Sequence, residues 1–248
     1  MSRYGLIVGK NGNIQFDTQR QTLGLMEHGY VNETGWTIYS TYNGTYMYTY
    51  VFPNNYNIIA TAVKPNYNAF VACATGSSTY FPGGGLIQSG RDPLGGITEA
   101  SAGPIEYAAY SPDVNQIHGI PSWGLVTYNE NGEIVFNSDI RYIKIRNIID
   151  INRSAILNFE DITIEHDELN PFYIVPHGYC ETWEYSPGPG GGGVGIVIRL
   201  LGAKKIDNYR VKIGWFVSQR SGPVYGGSFF APPVFRVPDP LRIAVCVL

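Results

Sequence analysis

This sequence predicts an all-β fold built as two tandem β-sandwich-like domains, each opening with a repeated β-hairpin. Three observations point there. β-Branched and aromatic residues come in short runs between turn residues, and 30 Gly and 16 Pro in 248 residues leave no room for a helix of useful length. Asn-Gly pairs, the strongest short-range hairpin signal, fall between such runs. One opening pattern also occurs twice, roughly 120 residues apart, a spacing that fits duplicated domains and not a solenoid of ~20–50-residue units.

The first copy, residues 4–18, reads Tyr4-Gly5-Leu6 and then Asn11-Gly12-Asn13-Ile14-Gln15-Phe16-Asp17-Thr18. The second, residues 123–138, reads Trp123-Gly124-Leu125 and then Asn131-Gly132-Glu133-Ile134-Val135-Phe136-Asn137-Ser138, with one residue inserted between the two parts. Each copy is expected to form a strand, a tight type I′ Asn-Gly turn and a return strand. Ile14 and Phe16, like Ile134 and Phe136, sit two apart, so one face of the return strand is apolar. The Asp17-Thr18 and Asn137-Ser138 pairs then turn the chain through side chain to backbone hydrogen bonds. A fainter echo sets Asn55–Ile59 beside Asn208–Lys212 at a different offset. The boundary is placed in the Ser/Pro-rich stretch Ser111–Ser122, giving an N-terminal β domain over 1–119 and a C-terminal one over 120–248.

Thr37–Ser40 and Tyr46–Val51 flank Asn43-Gly44 as a further hairpin, and Ile58–Val63 and Ala69–Ala74 follow across Lys64-Pro65-Asn66. In the second half the strand-like runs are Tyr142–Ile151, Ala155–Glu165, Phe172–Val175, Val194–Leu200, Tyr209–Val217 and Arg242–Val247. Two segments read as long exposed loops: Gly76–Gly103 and Ser186–Gly195. Compact domains mostly join strands with ~2–5 residues, and ordering a glycine run costs more backbone entropy than ordering other residues. Phe81, Gly83, Gly84 and Gly85 in one loop, and Gly190, Gly191, Gly192 and Gly193 in the other, are therefore expected to form arms that order against a neighbouring subunit.

The hydrophobic fraction of 44% suffices for a core, whereas charged residues reach only 15%, well under the ~25% usual for soluble domains. A surface so poor in charge, with 19 Tyr, suits a chain whose faces are covered by neighbours, and a homo-oligomer is expected. The net charge of -3 and the lack of a Lys/Arg stripe argue against a nucleic-acid partner. Cys73, Cys180 and Cys246 are too scattered for a disulfide framework or zinc site, and buried free thiols are expected. No signal-peptide core opens the chain and no run of ~18 apolar residues occurs, so neither secretion nor membrane insertion is expected.

Patterns that would carry chemistry are weak. The glycines at 190–193 lack the Lys-Ser/Thr of a phosphate loop, and His28, His118, His166 and His177 show no ligand spacing. His166-Asp167-Glu168 reads as a solvated polar turn at a strand end. Asp161, Thr163 and Glu165 share a strand face and offer oxygens to calcium, but without the clustered Asp/Asn/Gly loop such sites use. Glu181 and Glu184 would act as a glycosidase pair only if their separation in space allowed it. A non-enzyme without cofactor is expected. The recognition feature is tyrosine: Tyr46, Tyr48 and Tyr50 project from one side of a strand, opposite Met47, Thr49 and Val51, with Tyr39 and Tyr42 just before. Such a row serves as core, as subunit interface, or as a platform for sugar rings.

The opening hairpin carries a resemblance. Tyr4-Gly5-Leu6 with Asn11-Gly12-Asn13-Ile14-Gln15-Phe16-Asp17-Thr18 resembles the first β-hairpin of β-sandwich tail and tail-fibre-associated proteins of tailed bacteriophages, and the signature returns at 123–138. The resemblance implies a virion part made in the host cytoplasm, a structural component of the tail (tip, fibre or fibre adaptor) concerned with assembly and host attachment. The partners it implies are other phage tail proteins and a host surface glycan or protein. A glycan-binding receptor-recognition module is the alternative. Carrying the signature twice departs from single-domain members.

Overall fold

The structure, a computed structural model, describes residues 6–8, 14–17, 23–40, 46–52, 58–74, 84–88, 103–113, 123–186, 193–221, 229 and 231–248. The chain is all-β. Its first half holds β1 (Leu6–Val8), β2 (Ile14–Asp17), β3 (Gly24–Val31), β4 (Thr37–Ser40), β5 (Tyr46–Val51), β6 (Ala60–Lys64), β7 (Val71–Ala74), β8 (Gly85–Gln88) and β9 (Ile105–Ser111). The second half holds β10 (Val126–Tyr128), β11 (Ile134–Asn137), β12 (Lys144–Asp150), a short helix α1 (Arg153–Leu157), β13 (Ile162–Glu165), β14 (Phe172–Ile174), β15 (Tyr179–Ser186), β16 (Gly193–Lys205), β17 (Arg210–Ser221), β18 (Val234–Arg236) and β19 (Arg242–Val247).

Two sheets carry the fold. One runs β12-β19-β14-β6-β9-β3; the other runs β13-β17-β16-β7-β8-β5-β4, with β15 beside β16 and β18 beside β15. Each half contributes six corresponding strands in the same order, while β4 of the first half and β15 and β18 of the second have no counterpart. In the six-stranded sheet β3-β9-β6 answers β12-β19-β14, and in the other β5-β8-β7 answers β13-β17-β16. The halves join through β6 and β14, where Val63 faces Tyr173, and through β7 and β16, where Val71 faces Ala203. Both junctions are antiparallel, so the topology has an approximate two-fold passing between the halves. Both sheets run across the two halves, so the described strands do not divide into the two separate tandem domains expected. The junction is tight: a Cβ on Gly202 would come within 2.8 Å of Val71 O across it. The boundary expected near residue 120 lies outside the described residues.

Register repeats as well as order. β3 and β9 pair Gly24 with Ser111 and Leu25 with Tyr110, then bulge before Glu27 meets Ala109. β12 and β19 pair Lys144 with Val247 and Ile145 with Cys246, then bulge before Asn147 meets Val245. A bulge adds a residue and bends the strand. Both strands therefore bend just past their starts, and the segments entering them meet: Gly24 bridges Tyr142, and the Leu25 N–H donates to Arg141 O at 2.6 Å. The hairpins match too, Leu6–Asp17 answering Val126–Asn137. This register has no insertion inside the second hairpin, so the extra residue seen in the sequence falls before β10, and Leu6 corresponds to Val126 and not to Leu125. The faint echo of Asn55–Ile59 in Asn208–Lys212 does not fall on equivalent strands, since the first leads into β6 and the second into β17.

Each half packs its own core between the sheets. Val31, Trp36, Phe52, Val71, Leu86, Ile105 and Tyr107 fill the first; Ile151, Ile164, Leu201, Val211, Trp215, Leu241 and Ile243 fill the second. The three cysteines are free and buried, and burial pushes the thiols of Cys73 and Cys246 up to about 12 and that of Cys180 to about 11.

Several expectations need correction. The second hairpin turns through a longer loop than a type I′ pair: Asn129 N–H donates to Glu133 O, and Gly132 alone takes positive φ, at 79°. The Asn129 side chain, accepting from the N–H groups of Asn131 and Glu133, holds this wider turn. The run Ala155–Glu165 is not one strand. Asn152 caps α1 by accepting from the Ala155 N–H, and the strand begins only at Ile162. Gly84 and Gly85 are no exposed arm: both are buried, and Gly85 opens β8. Gly193 likewise belongs to β16, opposite Ser186. Phe81, Gly83 and Gly190–Gly192 lie outside the described residues.

Candidate ligand-binding site

The edges of the two sheets in the second half, β12 and β13, diverge around an open cleft of about 470 Å³. Asn147 lines it from β12, Glu165, His166 and Asp167 from the end of β13, and Asp207, Tyr209 and Arg210 from the turn between β16 and β17. The walls are tied by backbone: the His166 N–H donates to Tyr209 O (3.1 Å) and the Asn170 N–H to Asn208 O (2.8 Å). Asn170 sits in the left-handed region (φ 49°), which asparagine tolerates, and its side chain accepts from Lys205 Nζ at 2.7 Å. Arg146, the bulged residue of β12, reaches Glu168 at 3.7 Å.

Within the cleft, Asp207 accepts from the Tyr209 N–H (2.8 Å) and from Arg210 Nε (2.7 Å). These bonds to the ionised form hold its carboxyl below the usual carboxylate range. Arg210 also stands opposite Glu165 across the β13–β17 ladder. At the floor His166, only 9% exposed, shares a short hydrogen bond between its Nε2 and the Tyr173 hydroxyl. Its buried Nδ1 has no hydrogen-bond partner among the described residues. Tyr209 stands at the rim, 49% exposed.

Among the described residues, the first half packs the equivalent place with side chains. Phe52, which follows β5 as His166 follows β13, is buried and stacks on Tyr107 with centroids 4.9 Å apart. Tyr107 donates to the Glu27 carboxylate, and Glu27 occupies the position that Asn147 has in β12.

The expected site residues fall elsewhere. Tyr48 and Tyr50 are half-buried against the first core; Tyr50 meets Trp36 and Phe52 edge to face, and its hydroxyl lies 3.3 Å from that of Tyr107. Tyr39 and Tyr46 lie on β4 and β5, while Tyr42 is outside the described residues. Glu181 and Glu184 point to opposite faces of β15: Glu181 accepts from Tyr179 and Trp183, and Glu184 is buried against Arg199 at 2.7 Å. Asp161 pairs with Lys212 at 3.3 Å, and among the described residues no group of three His, Cys, Asp or Glu is arranged to hold a metal. Of the cleft residues, the sequence singled out Glu165 as a calcium-oxygen candidate with Asp161 and Thr163, and His166-Asp167 as a polar turn; their meeting with Asn147 and with 207–210 had no sequence signal. Comparison with known proteins returned no matching family model, curated protein or solved structure.

Proposed function

We propose that this chain is a non-enzymatic structural component of a bacteriophage tail that assembles with copies of itself and with other tail proteins. The observation that carries this is β4. Among the described residues it pairs only with β5, so it is an edge strand; it bears no charge, and Ile38 on it is 62% exposed. Free-standing sheets usually blunt such edges with lysine, proline or a bulge, and an edge without them is a template for a second chain. The resemblance of the doubled hairpin to tail proteins supplies the setting, and the low charge content agrees with faces covered on assembly.

Sedimentation of the wild type beside Ile38→Lys tests this. Self-association, or capture by a purified tail protein, that the lysine abolishes without lowering the melting temperature is the expected result. A wild type that stays monomeric and binds no tail protein would remove the proposal.

A further inference from the structure

We propose that the cleft between β12 and β13 binds a neutral saccharide unit. This goes beyond the assembly role and does not depend on it. At about 470 Å³ the cleft lies within the roughly 300–1,000 Å³ range of small-molecule sites, yet its wall is polar, which disfavours an apolar guest. Its charges narrow the class further. Three carboxylates, on Glu165, Asp167 and Asp207, face one guanidinium, on Arg210, and Asp207 is already bound to that guanidinium. The surplus is negative, so phosphate, sulfate and acidic sugars are repelled. A bare metal ion finds no group of three ligating side chains among the described residues.

A polyol suits what remains. Each sugar hydroxyl both donates and accepts, and the wall offers both partners: carboxylate oxygens on Glu165 and Asp167, and N–H donors on Asn147 and Arg210. The half-exposed ring of Tyr209 gives a face for the apolar side of a pyranose. The unpartnered Nδ1 of His166 at the floor leaves one buried polar atom to be satisfied. The first half argues in the same direction, because there the corresponding opening is filled by Phe52 and Tyr107 and the acid Glu27 is consumed by an internal bond.

Titration calorimetry of the full chain would use D-glucose, D-galactose, D-mannose, N-acetyl-D-glucosamine, lactose and maltose, with glucuronate and choline as anionic and cationic probes. At least one neutral sugar should saturate the protein, with glucuronate and choline weaker by about tenfold or more. Tyr209→Ala and Asn147→Ala, both changes at an exposed surface, should each weaken that sugar by about tenfold while leaving the melting temperature in place. Ile38→Lys should leave sugar binding unchanged, which separates this site from the assembly edge. The proposal is overturned if no neutral sugar in the panel binds, if glucuronate or choline binds more tightly, or if both cleft variants keep the wild-type affinity.

Discussion

The halves of this molecule share strand order and bulge position, but they close their sandwich edges by opposite means. In the first, Phe52, Tyr50 and Tyr107 meet face and edge, and the one acid among them, Glu27, accepts the Tyr107 hydroxyl. In the second, His166, Ile164 and Ile243 take those places, Asn147 replaces Glu27, and the edge stays open and polar. The lesson is that a repeated strand order does not dictate a repeated site: the first half adds β4 outside β5 and follows β5 with Phe52, whereas the second leaves β13 at the edge and follows it with His166.

Removing the two floor residues gives the largest test. Phe52→Ala leaves a cavity beside Tyr107 and should cost about 3–5 kcal/mol in urea unfolding. His166→Ala removes a smaller buried ring and leaves the Tyr173 hydroxyl without its partner, and should cost about 1–3 kcal/mol. Equal losses would show that His166 is as much core as Phe52, and the contrast between the halves would fail.

A subtler contrast lies one pair further in. Gly29 faces Tyr107 in the first half, and Ile149 faces Ile243 in the second. A Cβ on Gly29 would lie 2.6 Å from the Tyr107 hydroxyl oxygen, and that ring is pinned by Phe52 and Glu27. One half therefore fills the space with a large and an absent side chain, the other with two of middle size. Gly29→Ile and Tyr107→Ile should each destabilise, and the double variant should lose less than their sum by about 1–3 kcal/mol. Additive losses in a double-mutant cycle would mean the two positions do not compensate.

Much of this fold was legible in the sequence, and the illegible parts have physical causes. β4, β5 and β19 show the alternation or β-branched runs that half-buried strands need. The doubled hairpin announced the repeat because its apolar spacing is local. β8 was missed because Gly85 reads as loop, although a buried strand can use glycine where backbones crowd. β9 was missed because Ala108 and Ala109 carry little strand preference and are placed by packing. The cleft was invisible for a different reason: Asn147, His166 and Arg210 come from three strands, and only the pairing of β13 with β17 and the closeness of β12 bring them together.

Exchanging one floor residue for its counterpart sharpens the comparison. His166→Phe leaves the buried Tyr173 hydroxyl without its partner, about 1–3 kcal/mol, and removes the unpartnered Nδ1, which offsets a similar amount. These nearly cancel, so the melting temperature should move by no more than about 4 °C. A fall well beyond that would mean the second half cannot accept the aromatic plug of the first.

The smallest expected effect concerns the outward face of the central pair. Glu106 on β9 accepts from Lys64 at 2.7 Å and contacts His28 at 2.9 Å, whereas Arg242 at the same place on β19 reaches Asp150 at 2.6 Å in the open. Burial alone would raise the Glu106 carboxyl, but the bonds and charges of Lys64 and His28 outweigh it and hold the group below its usual range. A carboxyl depressed on folding adds stability that is fully present above its unfolded pKa and is lost as pH falls through the folded one. Glu106→Gln should therefore cost something under about 1 kcal/mol at neutral pH, since the groups are partly exposed and screened. That cost should vanish in acid, once the wild-type carboxyl is protonated as well. Asp150→Asn, at an exposed pair, should stay within about 0.5 kcal/mol. Urea unfolding of both variants from neutral to acid pH separates the cases. If Glu106→Gln keeps the same deficit in acid as at neutrality, the carboxylate charge is not what Lys64 and His28 hold, and the triad acts through shape alone.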